Sequence, residues 1–381
     1  MSTSFKPASP LSVLWTAPSI LAASMLIAWA AESAQFFIAQ GVALAILAWL
    51  QTLPEFAVEA VLAWKQQVPL LLANLTGALR LLTGLGWPMI YAVAAYFHRR
   101  HTGRRMGAIQ LADEHCVEVV GLFAALAWSF VVWIKGSLDL VDAAILIAVY
   151  CAYLWVLRHM PSADKESIDD LERIPHAIVT APRKWRILAI AALFAAGGGL
   201  IYATAEPFLA SLLAVSTTLG IPNFVFVQWV APFVSEFPEK VSAFYWARTV
   251  ERASMALMNM VSSNINQWTL LAAMLPIVYS MSRGTASPIP LDSQQELELL
   301  LTLGQSLLSA IFLLEMRLAW WEAAGLFGLW VVQFAFTTAV HDVVAALYFV
   351  WAGVEIVRRV TSRGRAPALR LFAEMWRRHV R

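Results

Sequence analysis

Two glutamates in this 381-residue chain each come directly after a proline inside a long apolar segment: Glu55 follows Pro54, and Glu239 follows Pro238. An acidic side chain that faces lipid costs roughly 2.5 to 3.5 kcal/mol, so these carboxyl groups must face a polar interior. Proline also removes a backbone hydrogen bond from a helix, which leaves carbonyl oxygens free one turn earlier. The carbonyls expected to be free lie near 48–50 and 232–234. Because carboxylate and carbonyl oxygens are ligands of hard cations, the pattern predicts a Ca²⁺ or Na⁺ site with Glu55 and Glu239 as central ligands.

Further polar side chains lie beside these glutamates and on the segments that follow them. Glu236 lies close before Glu239, and Glu59 lies one helical turn after Glu55, where it reaches either the site or an outer vestibule. The neutral candidates on the following segments are Asn74, Thr76, Ser262, Ser263, Asn264, Asn266 and Gln267. Their oxygens complete a coordination shell without adding charge. For Ser262, Asn264 and Asn266, the alternative is a hydrogen bond between helices, as polar residues make in membranes.

The composition places the chain in a lipid bilayer. Its residues are 60% hydrophobic and 14% charged, against about 25% charged in soluble domains. Apolar segments of about 20 residues, the length that spans a hydrocarbon core, follow one another with no sizeable soluble domain between them. The eleven predicted spans are 11–31, 38–63, 68–97, 115–134, 138–157, 187–213, 221–247, 253–280, 296–315, 318–336 and 338–358. We therefore predict an all-α integral membrane protein.

Basic residues are concentrated in alternate connections between these spans. The strongly basic connections are 98–105, 158–186 and 358–381. The positive-inside rule places all three in the cytoplasm if the N-terminus is outside and the C-terminus is cytoplasmic. We expect a bacterial-type inner (plasma) membrane. The first span is longer than the apolar part of a signal peptide, so we expect it to be retained.

Short sequence segments that match each other indicate that the chain contains two related halves. "TLPEFAVEA" from Thr52 matches "EFPEKVSAF" from Glu236, and Glu118 and Asp142 match Glu298 and Glu322 at a similar separation. With five spans before the polar segment 158–186, the second half is inverted, which is the usual plan of a secondary transporter. The predicted regions are a first repeat at 1–157, a polar cytoplasmic linker at 158–186, a second repeat at 187–336, and an extra helix with a basic tail at 337–381. We expect the four matching acids to be structural, at helix starts.

The segments around the two proline–glutamate pairs, and those that follow them, resemble the motifs of the cation/Ca²⁺ exchanger superfamily. Each of the two repeats in that superfamily carries GTSxPE on one helix and GNxxGSN on the next. "VSEFPE" and "NMVSSN" in the second half are the closer match. The resemblance implies that Glu239 is the main ion-binding carboxylate and that Ser235 and Glu236 replace the Thr-Ser pair. It implies that Ser263 and Gln267 are downstream ligands, and that Glu206 is an acid near the entrance.

The first half departs further from the family pattern. Gln51 and Thr52 stand where the family has Thr-Ser, Glu55 keeps the acid, and Asn74 survives from the second motif. Several Na⁺ ligands of the family are absent, which favours one cation exchanged against protons over a multi-Na⁺ stoichiometry. Arg80 enters the third span, where we expect its guanidinium to pair with Glu55 or Glu59 as a tethered counter-ion.

The sequence thus predicts a secondary active antiporter that moves Ca²⁺ or Na⁺ in exchange for Na⁺ or H⁺ by alternating access. The alternative is a non-transporting membrane sensor or scaffold in which Arg80 fills the ion site. We expect no enzyme activity and no cofactor, and the expected partners are inorganic cations and the bilayer, without nucleic acid. Lys240 is expected to extend towards the membrane interface. His341 is expected at the interface too, with a proton relay as the alternative.

Overall fold

The structure is a computed structural model that describes residues 5, 8–37, 40–160, 168, 171–361 and 366–379, with the backbone alone at 40–44 and 337–338. The helices are α1 (Val13–Gln35), α2 (Gln40–Gln51), α3 (Leu53–Trp64), α4 (Val68–Leu81), α5 (Trp87–Thr102), α6 (Cys116–Lys135), α7 (Leu140–His159), α8 (Arg173–Thr180), α9 (Arg183–Leu219), α10 (Asn223–Ser235), α11 (Phe237–Arg248), α12 (Ala253–Asn266), α13 (Ala272–Arg283), α14 (Ser293–Leu313), α15 (Trp320–Phe336), α16 (His341–Thr361) and α17 (Pro367–His379). The strands are β1 (Ala108–Gln110), β2 (Ser137–Leu138), β3 (Ile289–Pro290) and β4 (Arg317–Ala319).

Each of the eleven predicted spans is mainly helical over the residues that the structure describes, and residues 38 and 39 of the second span lie outside them. Six helices among the described residues are long and apolar enough to cross a membrane by themselves, or seven if the bent pair Ala45–Gln51 and Leu53–Trp64 counts as one span. The other predicted spans, which include α10 with α11 and α12 with α13, are shorter, interrupted or more polar. The protein is an all-α integral membrane protein, and the four short strands only join connections.

Two spans are broken where the sequence carries the proline–glutamate pairs. Helix α2 ends at Gln51 and α3 begins at Leu53, with a bend of 50°. In the second half, α10 ends at Ser235 and α11 begins at Phe237. Each break has proline in the first turn of the following helix, where its missing N–H is not needed.

The prediction of free carbonyls at these breaks is wrong for three of the oxygens. The Ala48 and Trp49 carbonyls accept hydrogen bonds from the Thr52 N–H, each at 3.2 Å. The Pro232 carbonyl accepts the Glu236 N–H at 2.9 Å. These three carbonyls are therefore used within their own helix ends, and the freeing of the carbonyls at 50, 233 and 234 stays a prediction.

Other irregularities of the backbone repeat at nearly the same separation as the two breaks. A π-helical segment, Leu82–Gly86, joins α4 to α5, and another, Gln267–Leu271, joins α12 to α13. Gln66 and Val250, in the connections just before α4 and α12, have positive φ angles of 58° and 51°. Since π-helical turns are uncommon and often occur at functional sites, their recurrence supports two structurally related halves.

The short strands also pair across the two halves. Strand β1 pairs antiparallel with β4, and β2 pairs antiparallel with β3. By position in the two halves, β1 corresponds to β3 and β2 corresponds to β4. The β1–β4 pair is therefore equivalent to the β3–β2 pair, as a two-fold relation between inverted repeats requires. The strands therefore fasten one half to the other at both ends of the helix bundle.

Two helices, α8 and α17, lie outside the predicted spans, in the segments expected to be a polar linker and a basic tail. Helix α17 packs on α6, and its Ala368 N–H donates to the Leu314 carbonyl at 3.2 Å. Glu315, in the adjacent connection, accepts from Arg317 at 2.6 Å. Burial alone would raise the pKa of Glu315, but the bond from Arg317 and the nearby Arg358 and Arg359 guanidinium groups lower it. This connection is thus fixed by charge as well as by packing.

The most buried helices are those that carry the predicted neutral ligands. Every described residue of α4 from Leu70 to Leu81 is buried, and so is nearly all of α12. At Gly77, an added Cβ atom would lie 1.9 Å from the Gln228 carbonyl oxygen, so α4 and α10 are in near backbone contact. The polar side chains of α4 and α12 therefore face other helices and not lipid.

Candidate cation site

The carboxyl groups at the two helix breaks are joined by one amide. The Gln267 Nε2 atom donates to Glu55 Oε2 at 3.1 Å and to Glu236 Oε1 at 2.7 Å. Glu55 belongs to the first turn of α3, Glu236 lies at the α10–α11 break, and Gln267 begins the second π-helical segment. Side chains from both halves therefore meet at Gln267.

Further hydrogen bonds extend this contact into a buried cluster. Ser263 donates to Glu239, and Asn266 donates to Thr52. The remaining pairs are Asn259 Nδ2 to Gln51 Oε1 at 3.1 Å and Asn74 Nδ2 to Glu59 Oε1 at 3.2 Å. We call the set the central cluster; its members are Gln51, Thr52, Glu55, Glu59, Asn74, Glu236, Glu239, Lys240, Asn259, Ser263, Asn266 and Gln267. Each is at most 6% exposed.

The central cluster contains more acidic than basic groups. Its four carboxyl groups face one ammonium group, that of Lys240, which donates to Glu236 Oε2 at 2.6 Å. The prediction that Lys240 reaches the membrane interface is wrong, since the side chain is only 6% exposed. Its carboxylate partner Glu236 lies four residues earlier and holds the ammonium group inside the protein. Burying negative charge without compensation is costly. The cluster therefore favours the binding of cations or protons.

Several oxygens of the central cluster accept no hydrogen bond from any residue that the structure describes. They are Glu55 Oε1, Glu59 Oε2, Asn74 Oδ1, Glu239 Oε2, Asn259 Oδ1, Asn266 Oδ1 and Gln267 Oε1. Buried polar atoms are nearly always paired, so such a group of acceptors needs an explanation. Carboxylate and amide oxygens suit Ca²⁺ or Na⁺. Within the described residues, no group of three or more His, Cys, Asp or Glu side chains could hold a metal ion together, so a cation here would also need the amide oxygens.

Four predicted candidates are placed differently from the central cluster. Ser235 donates to the Ala231 carbonyl at 3.1 Å, within its own helix. Ser262 shares a hydrogen bond of 3.1 Å with the Tyr153 hydroxyl, and Asn264 donates to the Met260 carbonyl at 3.4 Å. Glu206 pairs with Lys65 at 2.7 Å. Lys65 and Glu206 both line a cavity of about 1060 Å³ between α1, α3 and α9.

Arg80 contradicts the sequence prediction. Its Nη2 atom lies 2.7 Å from Glu298 Oε2, and its Nη1 atom donates to Gln333 Oε1 at 3.2 Å. The predicted pairing with Glu55 or Glu59 as a tethered counter-ion is wrong, and so is the alternative in which Arg80 fills the ion site. The Arg80 Nε atom donates to the Thr76 carbonyl at 3.1 Å, and the guanidinium lies against Glu298 of α14 and Gln333 of α15.

The group around Arg80 was missed by sequence reasoning. We call it the lateral network; its members are Arg80, Gln228, Glu298, Gln305, Gln333, His341 and Tyr348, all at most 1% exposed. Gln228 donates to Glu298 Oε2 at 2.9 Å, and Gln333 donates to Gln305 Oε1 at 2.8 Å. The sequence analysis named Arg80, Glu298 and His341 separately, but nothing in it joined them to each other or to these amides. His341, expected at the interface, is fully buried because it contacts Glu298 at 2.6 Å.

Comparison with known proteins decides the family. The family model described as "Sodium/calcium exchanger protein" matches residues 10–158 and 189–339. The chain belongs to this family. The two matched stretches correspond closely to the two halves described above, and the gap between them falls in the segment that contains α8. No curated protein matches the chain in sequence.

Solved structures give the same result for this exchanger-family chain. It is 31% identical to a protein described as the H⁺/Ca²⁺ exchanger CAX, covering 96% of this chain and 92% of that one with a TM-score of 0.87. The native YfkE structure is 16% identical, covering 87% and 92%, with a TM-score of 0.63. The sodium-calcium exchanger NCX_Mj, soaked with 100 mM Na⁺ and 10 mM Sr²⁺, is 17% identical, covering 86% and 97%, with a TM-score of 0.57. The last two likenesses concern the fold alone.

Proposed function

We propose that this protein is a secondary active antiporter that moves Ca²⁺ in exchange for H⁺ through the central cluster. The observation that carries the proposal is the central cluster itself, in which four buried carboxyl groups face one ammonium group. A single divalent cation offsets much of the excess negative charge, and protons offset it when the cation leaves. Antiport requires one site that holds the cation in one state and protons in the other.

The central ligands in this proposal are Glu55 and Glu239, each with one oxygen that has no donor. The amide oxygens of Gln267 and Asn266 complete the shell, and Glu59 with Asn74 extends it along α3 and α4. Glu236 is engaged on both oxygens, by Gln267 and Lys240, so it positions the amide. Thr52, Gln51 and Ser263 support these ligands through hydrogen bonds within the central cluster, and Glu206 with Lys65 lies towards an entrance. Ser235, Ser262 and Asn264 hydrogen-bond elsewhere, and we do not assign them as ligands.

The identity of the counter-ion rests on the residues and on similarity. The first half has Ala78 and Leu82 where the family pattern has oxygen ligands, which leaves few sites for several Na⁺ ions. The 31% identical relative is described as exchanging H⁺ for Ca²⁺. Inverted-repeat transporters expose such a midplane site alternately to the two sides. We therefore favour H⁺ over Na⁺ as the counter-ion.

We expect purified protein in liposomes to take up Ca²⁺ when a pH gradient, acidic inside, is imposed. Uptake should be followed with ⁴⁵Ca, in parallel with internal pH, and should stop when nigericin with K⁺ removes the gradient. A Na⁺ gradient at equal pH provides the second arm. Uptake that follows Na⁺ and ignores pH would overturn the choice of proton, and absence of uptake under either gradient would overturn antiport.

A further inference from the structure

Glu298 and His341 form a carboxylate–imidazole pair in the lateral network, away from the central cluster. The His341 Nδ1 atom lies 2.6 Å from Glu298 Oε1, and its Nε2 atom lies 3.2 Å from the backbone carbonyl oxygen of Gln333. Both side chains are at most 2% exposed. The imidazole thus has an oxygen acceptor against each of its ring nitrogens.

This arrangement fixes the number of protons that the pair needs. A neutral imidazole has one N–H donor and one acceptor nitrogen, and neither a carboxylate nor a carbonyl oxygen carries a proton. With acceptors on both sides, a neutral His341 beside an ionised Glu298 would set one nitrogen lone pair against an oxygen lone pair. One additional proton removes this conflict, whether it lies on Nδ1 or on Oε1.

The groups around the pair set how tightly that proton is held. The titratable neighbours are Arg80 from α4, with Nη2 at 2.7 Å from Glu298 Oε2, and Tyr348, whose hydroxyl accepts from Gln333. Helices α10, α14 and α15 contribute the neutral amides of Gln228, Gln305 and Gln333. Asp342 follows in sequence but is exposed. The two oxygen acceptors against the ring favour an additional proton, whereas the buried charge of Arg80 opposes it.

A related pair exists in the first half. Glu118, which precedes Glu298 by 180 residues, also faces a buried histidine, with His115 Nδ1 at 3.4 Å from Glu118 Oε1. The distance is longer than in the Glu298–His341 pair by 0.8 Å. The two halves therefore place a carboxylate and an imidazole together in both cases, but with a close contact only in the second.

We propose that Glu298 and His341 bind one exchangeable proton at a buried site separate from the cation site. Glu298 also holds Arg80 of α4 and Gln228 of α10, and Gln228 reaches Thr76 at 3.4 Å. Binding and release of this proton therefore act on the two helices that flank the central cluster. The proposal does not depend on the proposed function, because the proton can be observed without transport.

The test is ¹⁵N NMR of the histidine rings of the full chain in nanodiscs, purified through a tag without histidine. The sequence has seven histidines, so the His341 signals are those lost in His341→Gln. If that variant does not fold, a variant with His341 as its only histidine assigns them instead. ¹³C labelling of the glutamate carboxyl carbons, with Glu298→Gln for assignment, shows whether Glu298 is protonated.

We expect the spectra at pH 6 to show one additional proton on the pair, and we expect this proton to exchange with solvent deuterium. The additional proton appears in the spectra either as a His341 ring protonated on both nitrogens or as a protonated Glu298 beside a singly protonated His341 ring. The His115 signals, assigned with His115→Gln, serve as the comparison for an imidazole with a longer carboxylate contact. A singly protonated His341 beside an ionised Glu298 at pH 6 would overturn the proposal. A proton that does not exchange with solvent deuterium would overturn its exchangeable character.

Discussion

Glu239→Gln is expected to reduce gradient-driven Ca²⁺ uptake by about 100-fold or more. The amide keeps the size of the side chain but removes the charge that faces the cation, and Ser263 then loses its carboxylate acceptor. Removing one charge of a buried pair costs about 3 to 5 kcal/mol, and each 1.4 kcal/mol is about a factor of ten in an equilibrium constant. The measurement is the initial rate of ⁴⁵Ca uptake into liposomes at matched protein content.

Glu55→Gln should have the same effect, because the two carboxyl groups belong to one site. Glu322→Gln is the matched control: Glu322 is also a buried membrane glutamate, but its carboxylate accepts the Ala319 N–H at 2.7 Å, and a glutamine oxygen can accept the same bond. Uptake by this control should remain close to wild type. Full uptake by either central variant would exclude that residue from the site.

Glu298→Gln is expected to destabilise the protein by about 3 to 5 kcal/mol without touching the central cluster. The substitution leaves the Arg80 guanidinium, which is fully buried, without its carboxylate at 2.7 Å. Breaking a buried ion pair from one side is strongly destabilising because the remaining charge is uncompensated. Thermal unfolding in detergent, followed by tryptophan fluorescence at a fixed scan rate, should show a clear fall in the midpoint.

A second substitution distinguishes loss of charge balance from loss of packing. Arg80→Met added to Glu298→Gln removes the uncompensated charge, so the double variant should regain much of the lost stability. Glu118→Gln, at the related position of the first half, is the control, since the bond described for Glu118 is to His115 at 3.4 Å. A double variant that is less stable than Glu298→Gln alone would show that charge balance is not the cause.

A local disturbance of the helix at each proline was predicted, although the spans 38–63 and 221–247 were expected to be single helices. Pro54 and Pro238 limit the backbone of their own helices, and the structure ends α2 and α10 beside them. The following residues Glu55 and Glu239 then lie in the first turn of the next helix. The two π-helical segments were not predicted, since no single residue type specifies that insertion.

Side-chain partners were predicted less well, because they depend on how helices rotate and slide against each other. Arg80 was assigned to the nearest acids in sequence, whereas its partner Glu298 comes from α14. Lys240 was assigned to the interface from its type alone, although Glu236 one turn earlier holds it inside. Gln228 gave no signal because an isolated amide in an apolar helix fits many environments.

The central claim is that both halves hold one cation in the central cluster. A structure of the protein soaked in Ca²⁺, with the anomalous signal measured, tests it most directly. The account predicts one anomalous peak about 2.3 to 2.6 Å from oxygens of both Glu55 and Glu239, and no such peak in Glu239→Gln. A peak bound outside the central cluster, or one that contacts the carboxylate of only one half, would contradict it.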